Sequence, residues 1–217
     1  MPNWCSTKFV FTGNKQDITD IYNKITEYTS SSIGKSDFGN CWLGNVLIGF
    51  GLGDKIDSET DRLRCRGSIT DIGEIEDYYD SFSFEFWTDT AWCPMVRMWN
   101  EIIAKHYDNR ISVSWLAEEP GCCLYETNDM DMFGHDRYWL EWSLEEHDEW
   151  GTDYCSTSEA AADIINNLIV KYNLDTEPVT SEHILTLESC GKDCILSGDD
   201  WSITCIPLIE VNDADID

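Results

Sequence analysis

Residues 5–116 alternate segments of strand periodicity with segments of helical periodicity, and this order leaves few folds open. In residues 5–12 small or apolar side chains occupy every second position, which predicts a strand with one buried face. Apolar residues recur at helical spacing in residues 17–28, which predicts a helix. The series continues with two strands, a helix and a final strand, predicted at 62–69, 81–87, 94–107 and 110–116.

The residues after 116 carry the same two kinds of pattern. Four further segments are predicted to be strands, at 122–126, 138–144, 183–188 and 201–206. Ser156-Thr157-Ser158-Glu159 has the form of a capping box, and apolar residues at helical spacing follow it, which predicts a helix. The glycine-rich connection 33–61 is predicted to hold only a short strand, near 46–50.

Together these elements predict an α+β fold. The order β-α-β-β-α-β through residue 116 is that of a ferredoxin-like split β-α-β antiparallel sheet, to which the later strands would be added. We expect a ferredoxin-like domain at residues 1–145, and an acidic C-terminal α/β extension packed on it at residues 146–217.

Negative charge is concentrated in the second half of the chain. The 217 residues contain 42 acids and 14 bases, a net charge of −28. Residues 111–217 hold 25 of the acids and three bases, namely Arg137, Lys171 and Lys192. Because 42% of the residues are apolar and 12% are aromatic, the chain can bury a core despite this charge. A nucleic acid or an anionic membrane would be repelled, whereas a basic protein would be attracted.

The cysteines and the start of the sequence suggest a reducing compartment. Ten cysteines are present, and Met1-Pro2-Asn3-Trp4-Cys5 has neither the basic nor the apolar region of a secretory signal. We therefore expect reduced thiols in a cytoplasmic protein. The longest uncharged apolar stretch, Cys41–Gly53, has thirteen residues, fewer than the ~20 that span a bilayer.

No motif in the sequence predicts catalysis, a cofactor or a metal. The four histidines are distant from one another in sequence, at His106, His135, His147 and His183. Gly49–Gly53 lacks the spacing of a dinucleotide motif and the lysine of a phosphate loop. Asn128–Gly134 begins like a calcium loop but has Phe133 at a ligand position, and Cys190 and Cys194 have no second ligand pair. We predict a non-enzymatic protein, with an enzyme of unrecognised type as an alternative.

Three short segments carry a family resemblance. These are the start Met-Pro-Asn-Trp-Cys with Phe11-Thr12-Gly13, the block 86–94 (FWTDTAWCP), and the turn Glu118-Glu119-Pro120-Gly121. As a set they resemble the YubB ferredoxin-like family of conjugative plasmids and phages, over residues 1–145. Cys93 and Met95 depart from the serine and second proline of that family, and its Asn-Trp-Gly-Thr-Lys-Trp segment is not apparent. The resemblance implies a ferredoxin-like fold and a mobile-element setting, and no established chemistry.

The acids between residues 118 and 153 are the predicted site. Strand alternation in 138–144 places Glu141 and Glu145 on an outward face with Trp139. Carboxylates along a strand can engage rows of arginine that otherwise bind phosphates. The predicted partner-binding residues are Glu118, Glu119, Glu126, Asp129, Asp131, Asp136, Trp139, Glu141, Glu145, Glu146, Asp148, Glu149 and Asp153.

The charge and the resemblance together predict an inhibitor that mimics nucleic acid. Its partner would be a basic nucleic-acid-binding protein, namely a host defence nuclease such as a CRISPR effector or a restriction enzyme. The alternative is a small-ligand-binding or sequestering module, without catalytic activity, whose pocket is lined by tryptophans. A third interpretation treats the acids as a solvated, solubilising coat.

Overall fold

The protein has an α+β fold made of two compact units. The structure is a computed structural model that describes residues 3–30, 37–78, 81–189 and 194–213. Unit 1 comprises Met1–Cys122 and Val211–Asp217, and unit 2 comprises Cys123–Glu210. No helix in the described part of the chain combines the length and the apolarity needed to cross a bilayer.

The described residues of unit 1 form five strands and three α-helices. In chain order they are β1 (Trp4–Gly13), α1 (Lys15–Ser30), α2 (Leu43–Gly49), β2 (Gly67–Ile72), β3 (Glu76–Tyr78), β4 (Ser81–Ala91), α3 (Val96–Tyr107) and β5 (Ser112–Glu119). A short 3-10 helix, Gly53–Lys55, precedes β2.

In unit 2, residues 123–189 and 194–210 form six strands and three α-helices. In chain order they are β6 (Leu124–Thr127), α4 (Met130–Phe133), β7 (Tyr138–Leu144), β8 (Glu149–Cys155), α5 (Ser158–Tyr172), α6 (Ser181–Ser189), β9 (Cys194–Ser197), β10 (Trp201–Pro207) and β11 (Ile209–Glu210).

The boundary between the units lies 23 residues before the predicted one, at Cys122/Cys123 rather than at 145/146. The strands on either side of residue 145 form a hairpin, β7 with β8, which pairs without interruption from Tyr138↔Cys155 to Leu144↔Glu149. A division at 145 would separate these paired strands, so the acidic extension begins with β6.

The main sheet of unit 1 has the predicted ferredoxin-like order. Its strands lie in the order β5-β1-β4-β2, and each neighbouring pair is antiparallel. With the four strands counted along the chain, this order is fourth, first, third, second, which is the split β-α-β arrangement. The short strand β3 pairs with the start of β4.

Aromatic rings fill the core of unit 1. Phe9 and Phe11 alternate inward along β1, and Phe86 lies opposite Phe9 in β4. The Trp99 ring of α3 lies over them, with centroids 5.0 Å from Phe86 and 5.6 Å from Phe11. The edge-to-face geometry adds to the gain from burying large apolar rings. α1 covers the same core with isoleucines at helical spacing, Ile18, Ile21 and Ile25.

A charged pair anchors the start of α1. The side chain of Asn14 caps the helix by accepting from the Asp17 backbone N–H (3.0 Å). Arg110 donates two hydrogen bonds to the Asp17 carboxylate, at 2.8 and 3.1 Å. These hydrogen bonds hold the pKa of Asp17 below its usual range. The pair therefore ties α1 to the segment that precedes β5.

The predicted short strand near 46–50 is wrong, because Leu43–Gly49 forms helix α2. Leu43, Val46 and Leu47 are buried at helical spacing, and the Asn45 side chain donates to the carbonyls of Gly39 and Asn40, both at 2.9 Å. Burial of one helical face overrides the low helix propensity of the glycines in this segment.

Unit 2 has its own sheet and core. The strand order is β8-β7-β10-β9, and each pair is antiparallel, while β6 and β11 pair in parallel. Leu140 of β7 and Ile203 of β10 are buried with Ile165 of α5 and Ile184 of α6. The predicted strand at 183–188 is therefore wrong. That segment lies in α6, where the Thr180 hydroxyl accepts from the His183 backbone N–H (3.2 Å).

The helix predicted after residue 156 is confirmed as α5, with a different cap. The Thr157 hydroxyl accepts from the Ala160 backbone N–H at 3.2 Å, so Thr157 is the N-cap in place of Ser156. With Thr157 as the N-cap, Glu159 lies one position too early to complete a capping box.

We expect Trp99→Ala to lower the free energy of unfolding by about 3–5 kcal/mol, because it empties the centre of the aromatic core. The matched control is Trp150→Ala, since Trp150 is 79% exposed and its loss should change stability by less than about 0.5 kcal/mol. Urea denaturation followed by circular dichroism measures both. Equal losses for the two variants would contradict this description of the core.

Candidate functional site

The predicted acidic residues do not form one continuous exposed row. Two of the thirteen are buried, Glu119 and Trp139. Five are half-buried, namely Glu118, Glu126, Asp129, Asp136 and Glu141. Six are exposed, namely Asp131, Glu145, Glu146, Asp148, Glu149 and Asp153. Glu118 and Glu119 belong to unit 1, and the others belong to unit 2.

The predicted outward position of Trp139 is wrong. Its ring lies parallel to that of Tyr154, its cross-strand neighbour in β8, with centroids 6.4 Å apart. The Tyr125 ring of β6 lies 6.1 Å away. These tyrosines cover the face of β7 that alternation alone assigns to solvent. Trp139 is therefore a packing residue on a second buried face.

Glu119 is also a structural residue rather than a contact for a partner. Its Oε1 accepts from the backbone N–H of Gly121 at 3.2 Å, which closes the Glu-Glu-Pro-Gly turn. Its carboxylate raises the pKa of the neighbouring Cys122 thiol. Burial also raises the pKa of the half-buried Glu126. Both side chains face the protein more than the solvent.

Five of the six exposed acids lie in the hairpin of β7 and β8, and the sixth, Asp131, lies in α4. β7 ends at Leu144, so Glu145 begins a 3-10 turn and does not extend the outward face of Glu141. Asp148, with a φ of 51°, redirects the chain into β8. There Trp150 is exposed, on the face of the strand opposite to Glu149 and Asp153. Glu149 accepts from the Tyr172 hydroxyl and faces Lys171, and both lower its pKa.

Unit 1 contains a concave site that was not predicted from the sequence. It is an open groove with a volume of about 1220 Å³. Four of the six arginines of the chain line it, namely Arg62, Arg64, Arg66 and Arg97. Trp4, Trp42 and Trp92 line it as well, with Phe38. We call it the arginine–tryptophan groove.

Burial alternates along residues 62–66, which lead into β2, and this alternation leaves three of these arginines in solvent. Leu63 and Cys65 are buried, whereas Arg62, Arg64 and Arg66 are exposed. Three backbone bonds hold the segment: from Leu63 N–H to the Lys55 carbonyl (3.0 Å), from Ala91 N–H to the Arg66 carbonyl (2.9 Å), and from Gly67 N–H to the Cys65 carbonyl (3.0 Å), which makes a tight turn at Arg66. The three guanidinium groups therefore project from one side of a fixed strand-like wall.

These three arginines are not neutralised by nearby acids. Among the described residues, no carboxylate lies within 4.0 Å of the guanidinium of Arg62, Arg64 or Arg66. Arg97 differs, because it pairs with Asp61 at 3.0 Å. Asp57 and Glu59 are the acids that line the groove. Positive charge thus prevails locally in a chain whose net charge is −28.

The aromatic rings that line the groove are exposed to solvent rather than buried in the core. Phe38 is 72%, Trp4 54% and Trp92 46% exposed, and the Phe38 ring lies 5.0 Å from that of Trp42. Trp92 has a φ of 77°, in the left-handed region that disfavours any residue except glycine. Strain of this kind persists where the surrounding structure enforces it, and it is common at binding sites.

The three segments that carry the family resemblance meet beside this groove. The Asn3 carbonyl accepts from the Trp92 backbone N–H (3.0 Å), and the Asn3 side chain lies 3.7 Å from the Cys122 sulfur. The Thr90 hydroxyl bonds the carbonyls of Cys5 (3.3 Å) and Cys93 (2.8 Å). Segments that are distant in sequence therefore build one rim of the site.

Cys65 and Cys93 line the groove, and Cys5 lies in the neighbouring strand β1. A thiolate is a good nucleophile, but the buried thiols here are not activated by their surroundings. The Arg64 guanidinium lies 3.8 Å from the Cys93 sulfur, and Cys65 is buried in the wall. Burial raises the pKa of Cys65 to about 11 and that of Cys5 to about 12. Among the described residues, no group of three His, Cys, Asp or Glu side chains is placed to hold a metal ion.

Only one signal for the groove was present in the sequence, the alternation Arg62-Leu63-Arg64-Cys65-Arg66. It predicts a strand with one basic face, in a chain otherwise poor in bases. The aromatic side of the groove comes from residues near 4, 42 and 92, which only the fold brings together.

Comparison with known proteins adds no family or fold relative. No protein-family model, curated protein or solved structure matches this chain. The resemblance to the YubB family remains a prediction that rests on the motif segments.

We expect iodoacetamide at pH 8 to modify exposed Cys41 first and Cys122 more slowly, since the Glu119 carboxylate raises the pKa of the Cys122 thiol and lowers its thiolate fraction. Raising the pH to about 9.5 should accelerate modification of Cys122. Cys5, Cys65 and Cys155 should stay unmodified until the protein is denatured. Peptide mass spectrometry measures all five, and early labelling of Cys65 would show that the wall of the groove opens.

Proposed function

We propose that unit 1 is a non-catalytic binding module for an anionic ligand with a planar ring, such as a nucleotide. The arginine–tryptophan groove would be its binding site. The proposal rests on one observation, that three exposed arginines without a carboxylate partner among the described residues share a groove with exposed aromatic rings.

The two kinds of side chain suit the two parts of such a ligand. A guanidinium group binds phosphate oxygens through two parallel hydrogen bonds. The face of an indole ring stacks on a base and contributes about 1–3 kcal/mol per base. Arg64 and Trp92, which both line the groove, can therefore act on one ligand at once.

The net charge of the chain does not exclude an anion from this site. Charges separated by more than about 8 Å are largely screened at physiological salt. Inside the groove the nearest charges are the four arginines, opposed by Asp57, by Glu59 and by Asp61, which pairs with Arg97. The distant acids should slow the approach of an anion more than they weaken its binding.

We expect the wild-type protein to bind adenosine 5′-monophosphate more tightly than adenosine, because only the former offers a phosphate to the arginines. Arg64→Ala and Arg66→Ala should each weaken that binding by about tenfold, the cost of one charge-assisted hydrogen bond. Quenching of tryptophan fluorescence measures the affinities.

The control is Lys15→Ala, which removes one positive charge from an exposed helix position that does not line the groove. It should leave the affinity within about twofold, since its charge is screened from the site. Equal binding of adenosine and its monophosphate, or equal loss in all three variants, would refute the proposal.

Inhibition of a basic nucleic-acid-binding protein is a second candidate function, and unit 2 supports it. Residues 123–210 hold twenty acids and three bases. The edge strand β8 presents Trp150, 79% exposed, on the face that carries Glu141. It follows the exposed turn acids Glu145, Glu146 and Asp148 in the chain. An exposed ring within a charged rim is typical of an interface anchor, and the carboxylates would face the basic channel of a host defence nuclease such as a CRISPR effector or a restriction enzyme.

For this second function, we expect an excess of the protein to reduce DNA cleavage by a purified target nuclease. A variant that neutralises Glu145, Glu146, Asp148 and Glu149 as amides should lose at least about tenfold in potency at low salt, because steering depends on local charge. A gel assay of DNA cleavage across a panel of such nucleases measures this.

The matched control neutralises four exposed acids elsewhere in unit 2, namely Glu159, Asp163, Glu177 and Glu182. It changes the net charge equally, so equal potency of the two variants would show that position does not matter. In that case the acids would serve only to keep the protein solvated and soluble.

A further inference from the structure

We infer that the ligand of the arginine–tryptophan groove is a short single-stranded nucleic acid. This inference rests on the proposed function and adds the class of ligand and its length. It depends on the size of the groove, the spacing of its arginines and the number of its rings.

The groove is larger than a mononucleotide requires. Pockets for small ligands usually have volumes of about 300–1,000 Å³ and enclose most of the ligand. The arginine–tryptophan groove has a volume of about 1220 Å³ and is open to solvent. A site of this form suits an extended chain that enters and leaves, rather than a compact molecule.

The exposed arginines form a row, not a cluster around one point. Arg62, Arg64 and Arg66 are the exposed alternate positions of the segment that leads into β2. The bond from the Gly67 N–H to the Cys65 carbonyl (3.0 Å) makes a tight turn at Arg66, so the Cα atoms of successive arginines lie on the order of 6 Å apart. A single phosphate can contact one or two of them. A backbone that carries one phosphate per nucleotide can contact all three in register.

The rings match the bases of such a strand. Trp4, Trp92 and Phe38 are exposed, and Trp42 lies against Phe38, so more than one stacking surface is available. Proteins that bind single strands without sequence preference combine a positive groove with aromatic platforms. In a duplex the bases are already stacked on each other, so these rings would have no base face to contact.

The acids of the chain limit the length of the strand. Beyond the groove a longer polyanion meets a protein of net charge −28, and each further phosphate is repelled instead of attracted. Asp57 and Glu59 already line one part of the site. The affinity should therefore rise over the first few nucleotides and then stop rising, at a length on the order of four.

The test measures the affinity of the full-length protein for thymidine 5′-monophosphate and for oligothymidylates of two, four, six and eight nucleotides. Quenching of tryptophan fluorescence is the readout. Each nucleotide up to about four should tighten binding by about fivefold, the equivalent of one stacked base. An oligouridylate of each length shows whether DNA and RNA share the site.

The salt dependence of binding, compared between the wild type and arginine variants, tests whether the three arginines contact phosphates. With three phosphates neutralised, the logarithm of the affinity for the four-nucleotide strand should fall with the logarithm of salt at a slope of about −2. Arg62→Ala should reduce the slope by about 0.7 and bring the affinity for four nucleotides close to that for two. Lys15→Ala is the control and should leave the slope unchanged.

The outcomes separate the inference from the proposed function. If the monophosphate binds and longer strands bind no more tightly, the ligand is a mononucleotide and the inference is wrong while the function stands. If neither binds, both are wrong. Binding of an eight-base-pair duplex as tightly as the single strand would also overturn the inference, because stacking on the exposed rings would play no part.

Discussion

The pairing of β1 with β4 determines where the other parts of unit 1 lie. Ten consecutive residue pairs, from Trp4↔Ala91 to Gly13↔Phe82, fix the register of the two strands. A slip of one residue would turn Phe9 and Phe11 out of the core, so burial of these rings holds the register. The same register places the start of the chain beside the segment that follows β4, and that juxtaposition forms one rim of the arginine–tryptophan groove.

The core therefore also controls the charged wall of the groove. Leu63 and Cys65 are drawn inward by their apolar side chains, and the intervening arginines have no other direction in which to point. Three guanidinium groups on one short segment repel one another, which destabilises the ligand-free protein slightly. The acidity of the rest of the chain offsets that repulsion, so a row of arginines without paired carboxylates among the described residues is tolerated here.

The sequence predicted those features that depend on local periodicity and failed where contacts between distant segments decide. The order of the strands of unit 1 followed from alternation that faces one core, as in β1. Trp139 was assigned to solvent because alternation identifies two faces of a strand and does not show whether both are covered. The helix at Leu43–Gly49 was missed because its glycines disfavour a helix that buried Leu43, Val46 and Leu47 stabilise. The groove was not predicted because a net charge of −28 does not show that four of the six arginines line one site.

The acidic residues can contribute to ligand selection by the basic groove, so their abundance does not require a protein partner. A chain of strong negative charge repels duplexes and long single strands, which would otherwise compete for any row of arginines. A short strand extends little beyond the groove and meets little of that repulsion. If the groove binds a short strand as proposed, the acids of both units select against longer strands, and they do not need to be aligned. Because this repulsion depends on total charge rather than on an ordered row, it does not require the predicted contact residues to be exposed, and the burial of Glu119 and half-burial of Glu126 do not weaken it.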